Sequence, residues 1–336
     1  MVNPPQLRRI EDIWFDDGNV VLQAGSAQYR VYRGTLARKS PIFSDMFCIG
    51  QPSGAELVDG CPLVIMPDDE ADMTPFLQAL FDAEFFPAFP ARTTVSTIHG
   101  CLRLAHKYDV AGLRYRALLH LSSRFRTRLA DHNTSRYYEC WEGMTEQRLT
   151  GIATWPAPSP EALAATLALA RQVDAPWVLP SVWYHLATLE PEQISGLTKA
   201  GALSSGDAAL VAKGHQINLD AVAVILHAFE VATSPEECTL RKYCAPSRRE
   251  VVQPGALNEL IARARDPFAT ALYMRDVLDD MENVNEEVCA SCAAGHNEAM
   301  VTKMQELWGQ LPTLYGLPGW GTLRHLKTEA IGYDMI

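Results

Sequence analysis

The pattern of apolar positions near the N-terminus changes its period within one short stretch of the chain. Residues 20–22 are β-formers that follow a turn-like segment, and Tyr29 and Val31 alternate with polar neighbours, which predicts two paired strands. Gly25 and Ser26 lie between the two runs and predict a two-residue hairpin loop. The chain is therefore expected to form a β-hairpin here.

Helical spacing of the apolar residues begins directly after the hairpin. The residues that recur at these intervals are Leu36, Ile42, Phe43, Met46 and Phe47. Ser40 suits the N-cap and Pro41 the first turn of the second of two short helices. We expect Phe43 and Met46 to be buried between the sheet and later helices.

The next eighty residues predict one more strand and three helices. The strand is the apolar run 63–66, which lies between Pro62 and Pro67. Three sets of apolar residues at helical spacing predict the helices: Phe76, Leu77, Leu80 and Phe81; Ile98, Leu102, Ala105 and Tyr108; Leu113, Ala117, Leu118 and Leu121. Residues 83–92 are aromatic and proline-rich, so an irregular loop is expected there.

This stretch resembles the BTB/POZ domain, a protein-interaction fold. The residues that match its motif are Val31, Arg33, Leu36, Ser40, Phe43, Met46 and Phe47. Many family members have His where this chain has Tyr32, whereas residues 102–121 resemble the helix pair that closes the domain. The resemblance implies an α/β BTB/POZ domain over residues 13–126, a small sheet with surrounding helices. It also implies self-association through the segment that contains Trp14 and Phe15, although these residues would equally cover the edge of the sheet.

A linker and an all-α helical domain are predicted after this unit. The linker spans residues 127–158, and its polar and aromatic part, 131–155, lacks a clean period. The helical domain spans residues 159–336 and begins with helices after Ser159 and from Leu179. A polar segment, residues 197–214, is expected to precede a helix from Asp220. Later helices are predicted around residues 257–261, 268–281 and 300–311, the last of them ended by Pro312.

The second half resembles that of the large fungal (basidiomycete) set of BTB proteins. The matching residues are Leu169, Ala170, Ala175, Leu179, Pro180, Tyr184, Cys289, Cys292, Trp308, Leu311, Pro312, Leu317, Pro318 and Trp320. The resemblance implies the same two-part architecture and carries no biochemical activity.

Composition narrows the class of protein further. The 336 residues carry a formal net charge of −11, with 48% hydrophobic and 21% charged residues, which are globular values. An acidic chain does not suit direct binding to nucleic acid, which requires a basic surface. The apolar runs fall well short of the ~20 residues that span a bilayer, and no signal-peptide core is present. We therefore expect a protein of the cytoplasm or nucleus without a membrane segment.

Four of the eight cysteines have the character of metal ligands. Cys238 and Cys244 lie in a proline-flanked segment, and Cys289 and Cys292 form a CxxC motif with His296 four residues further on. Two such pairs from separate segments can close a tetrahedral site for structural Zn²⁺, in which His296 is the alternate ligand. The other interpretation is four separate reduced cysteines, a residue type that favours burial.

Enzymatic activity has no support in the sequence. Neither a GxSxG motif nor a P-loop occurs, and the CxxC motif follows an acidic helical stretch instead of the strand that a redox motif requires. His99, His106 and His120 lie on predicted helices and are expected to be surface residues or hydrogen-bonded core residues. We identify no catalytic residue and no small-molecule substrate.

The resemblance to BTB proteins therefore implies a protein–protein interaction module that binds itself as a dimer and other proteins. One alternative is a substrate adaptor of a cullin ubiquitin ligase, and another is a transcription regulator that acts through partners. Adaptors of the cullin type carry a hydrophobic-x-Glu motif after the second short helix. Here Glu56 has Gly54 two positions before it, so that motif is missing.

Overall fold

A computed structural model describes residues 7–49, 56–132, 154–231, 236–251, 265–283 and 287–332. The linker prediction lies largely outside these residues, and so does the helix predicted around 257–261. The described parts combine a small mixed α/β unit with a long series of helices. One continuous hydrophobic core runs through both parts.

The sheet has five strands in the order β1-β3-β2-β5-β4. They are β1 Arg8–Trp14, β2 Val20–Ala24, β3 Ala27–Val31, β4 Leu57–Val58 and β5 Cys61–Met66. The β2–β3 and β4–β5 pairs are antiparallel, whereas β1 lies parallel to β3 and β5 parallel to β2. The sheet is therefore mixed, with β1 and β4 at its two edges.

The predicted hairpin is confirmed. Ala24 pairs with Ala27, and Gly25 between them has a φ of 56°, a left-handed conformation that glycine adopts without a Cβ clash. The strands β1 and β4 were not predicted. Both are edge strands: β1 pairs with β3, which lies well beyond it in the chain, whereas β4 is only two residues long and pairs with the adjacent β5. Neither carries an alternating apolar pattern long enough to predict a strand.

Two short helices, α1 Arg33–Lys39 and α2 Pro41–Cys48, follow the hairpin as predicted. The Ser40 hydroxyl accepts a hydrogen bond from the Phe43 amide at 3.0 Å, which is the N-cap geometry. Phe43 is fully buried, and its ring centroid lies 4.5 Å from that of Tyr108. Met46 is only half-buried, so the predicted burial is correct for Phe43 and overstated for Met46.

Three longer helices complete this part: α3 Glu70–Phe81, α4 Val95–Lys107 and α5 Ala111–Arg124. All three predictions are confirmed, and residues 83–92 form the expected irregular loop. The acidic residues that begin at Asp68 pair with cations from other elements. Asp68 contacts Lys107 at 2.5 Å, and Glu70 contacts Arg8 at 3.1 Å.

The second part is helical throughout its described residues. Its α-helices are α6 Pro160–Gln172, α7 Leu179–Ala187, α8 Pro191–Lys199, α9 Ser205–Val231, α10 Cys244–Val251, α11 Pro267–Asn283, α12 Ala290–Leu314 and α13 Trp320–Ile331. A 3₁₀ turn, Pro176–Val178, precedes α7. The coarse prediction of an α/β unit followed by helices agrees with this architecture.

The predicted start of α9 at Asp220 is wrong, because the helix already begins at Ser205. The Ser204 hydroxyl accepts a hydrogen bond from the Asp207 amide at 3.0 Å and caps the helix. Gly214 interrupts the apolar pattern but is required by packing. A Cβ at this position would lie 3.0 Å from the Ala187 Cβ and closer still to the Tyr315 hydroxyl.

The predicted end of the last long helix at Pro312 is also wrong, since α12 continues to Leu314 and a further helix, α13, follows. Pro312 has no N–H for the carbonyl of Trp308 four residues earlier. The Trp320 indole N–H donates to that carbonyl instead, at 2.6 Å, and the two indole rings stack 4.9 Å apart. A tertiary contact thus replaces the helical hydrogen bond that proline removes.

The two parts of the chain contact each other through buried polar groups. The indole N–H of Trp177 donates to the Ser122 hydroxyl at 3.0 Å, and the Ser181 hydroxyl donates to the Arg126 carbonyl at the same distance. His99 on α4 hydrogen-bonds the Thr166 hydroxyl on α6 at 2.9 Å. These contacts fix α6 and α7 against α4 and α5.

Among the described helices, α9 is long and apolar enough over Ser205–His227 to cross a membrane by length and composition. A third of that segment is buried, and α9 packs against α7, α11 and α12. Core helices of soluble proteins meet the same criteria, so the segment is weak evidence for a membrane span.

Candidate metal centre

The four cysteines expected as ligands come from two separate stretches of the second part. Cys238 lies in the loop before α10, and Cys244 is the first residue of that helix. Cys289 is the N-cap of α12, and Cys292 lies in its first turn. All four side chains are buried.

The fold brings the four sulfurs together. The Cys238 Sγ lies 3.7 Å from the Cys244 Sγ and 3.8 Å from the Cys289 Sγ. All four Sγ atoms, including that of Cys292, lie within 4.8 Å of one another. The requirement that the two cysteine pairs meet at one point is therefore satisfied.

These distances match one metal ion of the size of Zn²⁺. Zn–S bonds of ~2.3 Å in a tetrahedron place the sulfurs about 3.8 Å apart. The two individual separations of 3.7 and 3.8 Å agree with this value, and the spread up to 4.8 Å leaves the group slightly expanded. With four sulfur ligands the coordination sphere is closed, as in structural and not catalytic zinc sites.

The local electrostatics favour an anionic sulfur at Cys289. Burial acts to raise the pKa of this thiol, but hydrogen bonds from the amides of Cys292 and Thr239 outweigh burial and lower it. Burial raises the pKa of Cys244 and of Cys292, and the neighbouring thiols raise both further. The site therefore stabilises a thiolate at Cys289 and disfavours deprotonation of Cys244 and Cys292. A bound cation would stabilise all of these thiolates together.

The backbone also prepares the site for thiolates. The Cys289 amide, left without an intrahelical acceptor at the start of α12, points at the Cys244 Sγ at 3.3 Å. Hydrogen bonds of this kind orient metal ligands and stabilise their negative charge.

His296, the alternate ligand, is buried one turn after Cys292 but is not among the residues whose ligand atoms converge. Burial, followed by the charge of Arg248, lowers its pKa to about 4. Sequence reasoning missed Arg248, which is buried and donates a hydrogen bond to the Cys244 carbonyl. Its position four residues after Cys244, on the same helix face, was the available signal.

The remaining cysteines lie elsewhere. Cys48 is exposed at the end of α2, and Cys61 and Cys101 are buried in the first part. Cys140 lies outside the described residues.

Two of the three histidines that were weighed as catalysts are hydrogen-bonded core residues. His99 pairs with Thr166, and His120 contacts the Thr154 hydroxyl at 2.7 Å and the Pro87 carbonyl at 3.0 Å. Burial lowers the pKa of both imidazoles, to about 4 for His99. These contacts assign them to packing between elements.

Comparison with protein-family models, with curated proteins and with solved structures gives no match to this chain.

Proposed function

We propose that this chain is an intracellular protein-interaction module, of the cytoplasm or nucleus, whose BTB/POZ unit at residues 13–126 self-associates and binds other proteins. The observation that carries the proposal is the order of elements around Phe43. A hairpin leads directly into two short helices, a strand parallel to β2 follows, and the α4–α5 pair closes over the group. The same order of elements is implied by the resemblance of residues 31–47 and 102–121 to the BTB domain.

Surface features of the sheet support self-association. The strand β1 is an edge strand, and the side chain of Leu7 just before it is 51% exposed. Ile65 on β5 is also exposed, so apolar surface lies near both edges of the sheet. Trp14 and Phe15 are half-buried, and Phe15 packs against Tyr32 with ring centroids 5.1 Å apart. Part of the surface of both side chains is therefore exposed and available to a partner.

Light scattering coupled to size exclusion tests this proposal. We expect a mass twice the 37.2 kDa of one chain at micromolar concentration. Leu7→Glu should shift the protein towards the monomer, because a charge at an apolar contact resists desolvation. Tyr115→Glu on α5, where the side chain is 40% exposed, is the matched control and should leave the mass unchanged. A mass of one chain for the wild type would refute self-association.

We further propose that the four-cysteine centre holds one structural Zn²⁺. The ion would join the segment Cys238–Cys244 to the start of α12. Metal binding would then be part of the folding free energy of the second part. This role suits a binding protein, because it stabilises the helical part without providing an open coordination position.

Elemental analysis and chelation test the zinc proposal. The purified protein should contain one zinc ion per chain, and Cys292→Ser should lose it. Cys48→Ser is the control, since this thiol is exposed and lies at the end of α2 in the first part of the chain. Removing the metal with a chelator should lower the unfolding temperature of the protein. Wild-type protein that unfolds at the same temperature with and without chelator, and contains no metal, would refute the centre.

A further inference from the structure

Arg248 places a buried positive charge on the helix that carries a ligand of the centre. Its side chain is 1% exposed, although arginine is among the residue types least often fully buried. Its Nε donates a hydrogen bond to the carbonyl of Cys244 at 2.8 Å. The guanidinium is thereby attached to the residue that supplies one of the four sulfurs.

The same side chain acts electrostatically on a residue of the second ligand-bearing helix. The charge of Arg248 contributes to the lowered pKa of His296, which lies on α12 one turn after Cys292. The first turns of α10, which carries Arg248, and of α12 meet at the four cysteines. A buried charge in this position acts on the centre through a medium that screens it weakly.

The net charge of a zinc ion with four thiolates explains why a positively charged side chain near the centre is favourable. Four thiolates around one divalent ion carry a net charge of −2, and burial makes an uncompensated charge costly. The buried guanidinium of Arg248 on α10 is a positive charge that acts against this negative charge. The cysteine amide that points at the Cys244 Sγ contributes only a partial charge, so the guanidinium is the larger compensation.

We infer that Arg248 is a positioning residue that sets the metal affinity of the four-cysteine centre by compensating its negative charge. This inference rests on the proposed zinc centre. It goes beyond that proposal because it assigns the affinity to a residue that is not a ligand. Groups that surround metal ligands typically contribute tenfold to hundredfold in metal affinity.

The test compares neighbouring arginines in the full chain. Arg248→Gln removes the charge, Arg248→Lys keeps it, and Arg249→Gln alters the exposed residue next in sequence. Zinc affinity is measured by competition with a chromophoric chelator, and Co²⁺ substitution reports the tetrahedral sulfur site by its thiolate-to-metal absorption. We expect Arg248→Gln to bind zinc at least tenfold more weakly than wild type, while the other two variants stay within about threefold.

The outcomes separate the two proposals. If wild type binds neither Zn²⁺ nor Co²⁺, the metal centre itself is refuted. If wild type binds and Arg248→Gln binds equally well, or if Lys and Gln at this position weaken binding equally, charge compensation by Arg248 is overturned. Should Arg248→Gln fail to fold, Arg248→Lys decides: affinity close to wild type supports the inference, and a tenfold loss overturns it.

Discussion

The substitution Phe43→Ala tests how the first part of the chain is organised. The phenylalanine ring is fully buried, and ring centroids of Tyr108, Phe47 and Phe76 lie 4.5, 5.9 and 6.5 Å away. A buried phenylalanine removes roughly 150–250 Å² from water, so transfer alone amounts to ~4–6 kcal/mol as an upper bound. Measured Phe→Ala losses are ~3–5 kcal/mol. We expect the upper half of this range, because stiff neighbouring rings cannot collapse into the cavity.

Urea unfolding followed by circular dichroism measures the loss, and Ile42→Ala supplies the control. Ile42 precedes Phe43 on the same helix but is 44% exposed, so its truncation should change the free energy of unfolding by less than ~1 kcal/mol. A loss below ~1 kcal/mol for Phe43→Ala, or equal losses for both variants, would show that α2 does not turn Phe43 into the core. Since domains are stable by only ~5–15 kcal/mol, the expected effect is easily measured.

Two further predictions concern the second part and the contact between the parts. Gly214→Ala should destabilise the protein by ~1–3 kcal/mol, because the added methyl group meets Tyr315. The control Gly309→Ala on α12 has open space around the added methyl group and should stabilise the protein by ~0.5–1 kcal/mol. Thermal unfolding measures both effects, and equal effects would contradict the close approach at Gly214. Burial lowers the pKa of His99 to about 4 in the folded state, against 6.5 in the unfolded chain. The folded state therefore binds fewer protons between these two pH values. The free energy of unfolding should fall by about 3 kcal/mol as pH decreases from 6.5 to 4. His99→Gln keeps a hydrogen-bonding group near Thr166 and should flatten this pH dependence in urea unfolding at several pH values; an unchanged slope would contradict it.

Several elements of this protein were determined by short stretches of sequence. The hairpin depends on Gly25 and the alternation that flanks it, and the start of α2 depends on Ser40 and Pro41. In each case the residues that specify the structure lie within a few positions of the structure they form. Residue types also determined the candidate ligands, because thiolates are ligands that zinc prefers.

Other features depended on partners far away in the chain. The strand β1 exists because Arg8 and Arg9 pair with β3, and α12 continues through Pro312 because Trp320 satisfies the freed carbonyl of Trp308. A local pattern contains no information about such partners, so the predicted boundaries were wrong at these places. The early start of α9 could not be predicted for the same reason. Gly214 has a low helix propensity, but it is required by the close approach of Ala187 and Tyr315.

The cluster of four cysteines combines both kinds of information. The sequence by itself identified the four cysteines and left two interpretations, one shared site or four separate thiols. Only the tertiary structure decided that Cys238 and Cys289, 51 positions apart, place their sulfurs 3.8 Å from each other. The physical reason is that the ability to bind zinc is a property of each cysteine side chain. Whether the four sulfurs meet depends on how α10 and α12 pack, and that packing depends on the whole core.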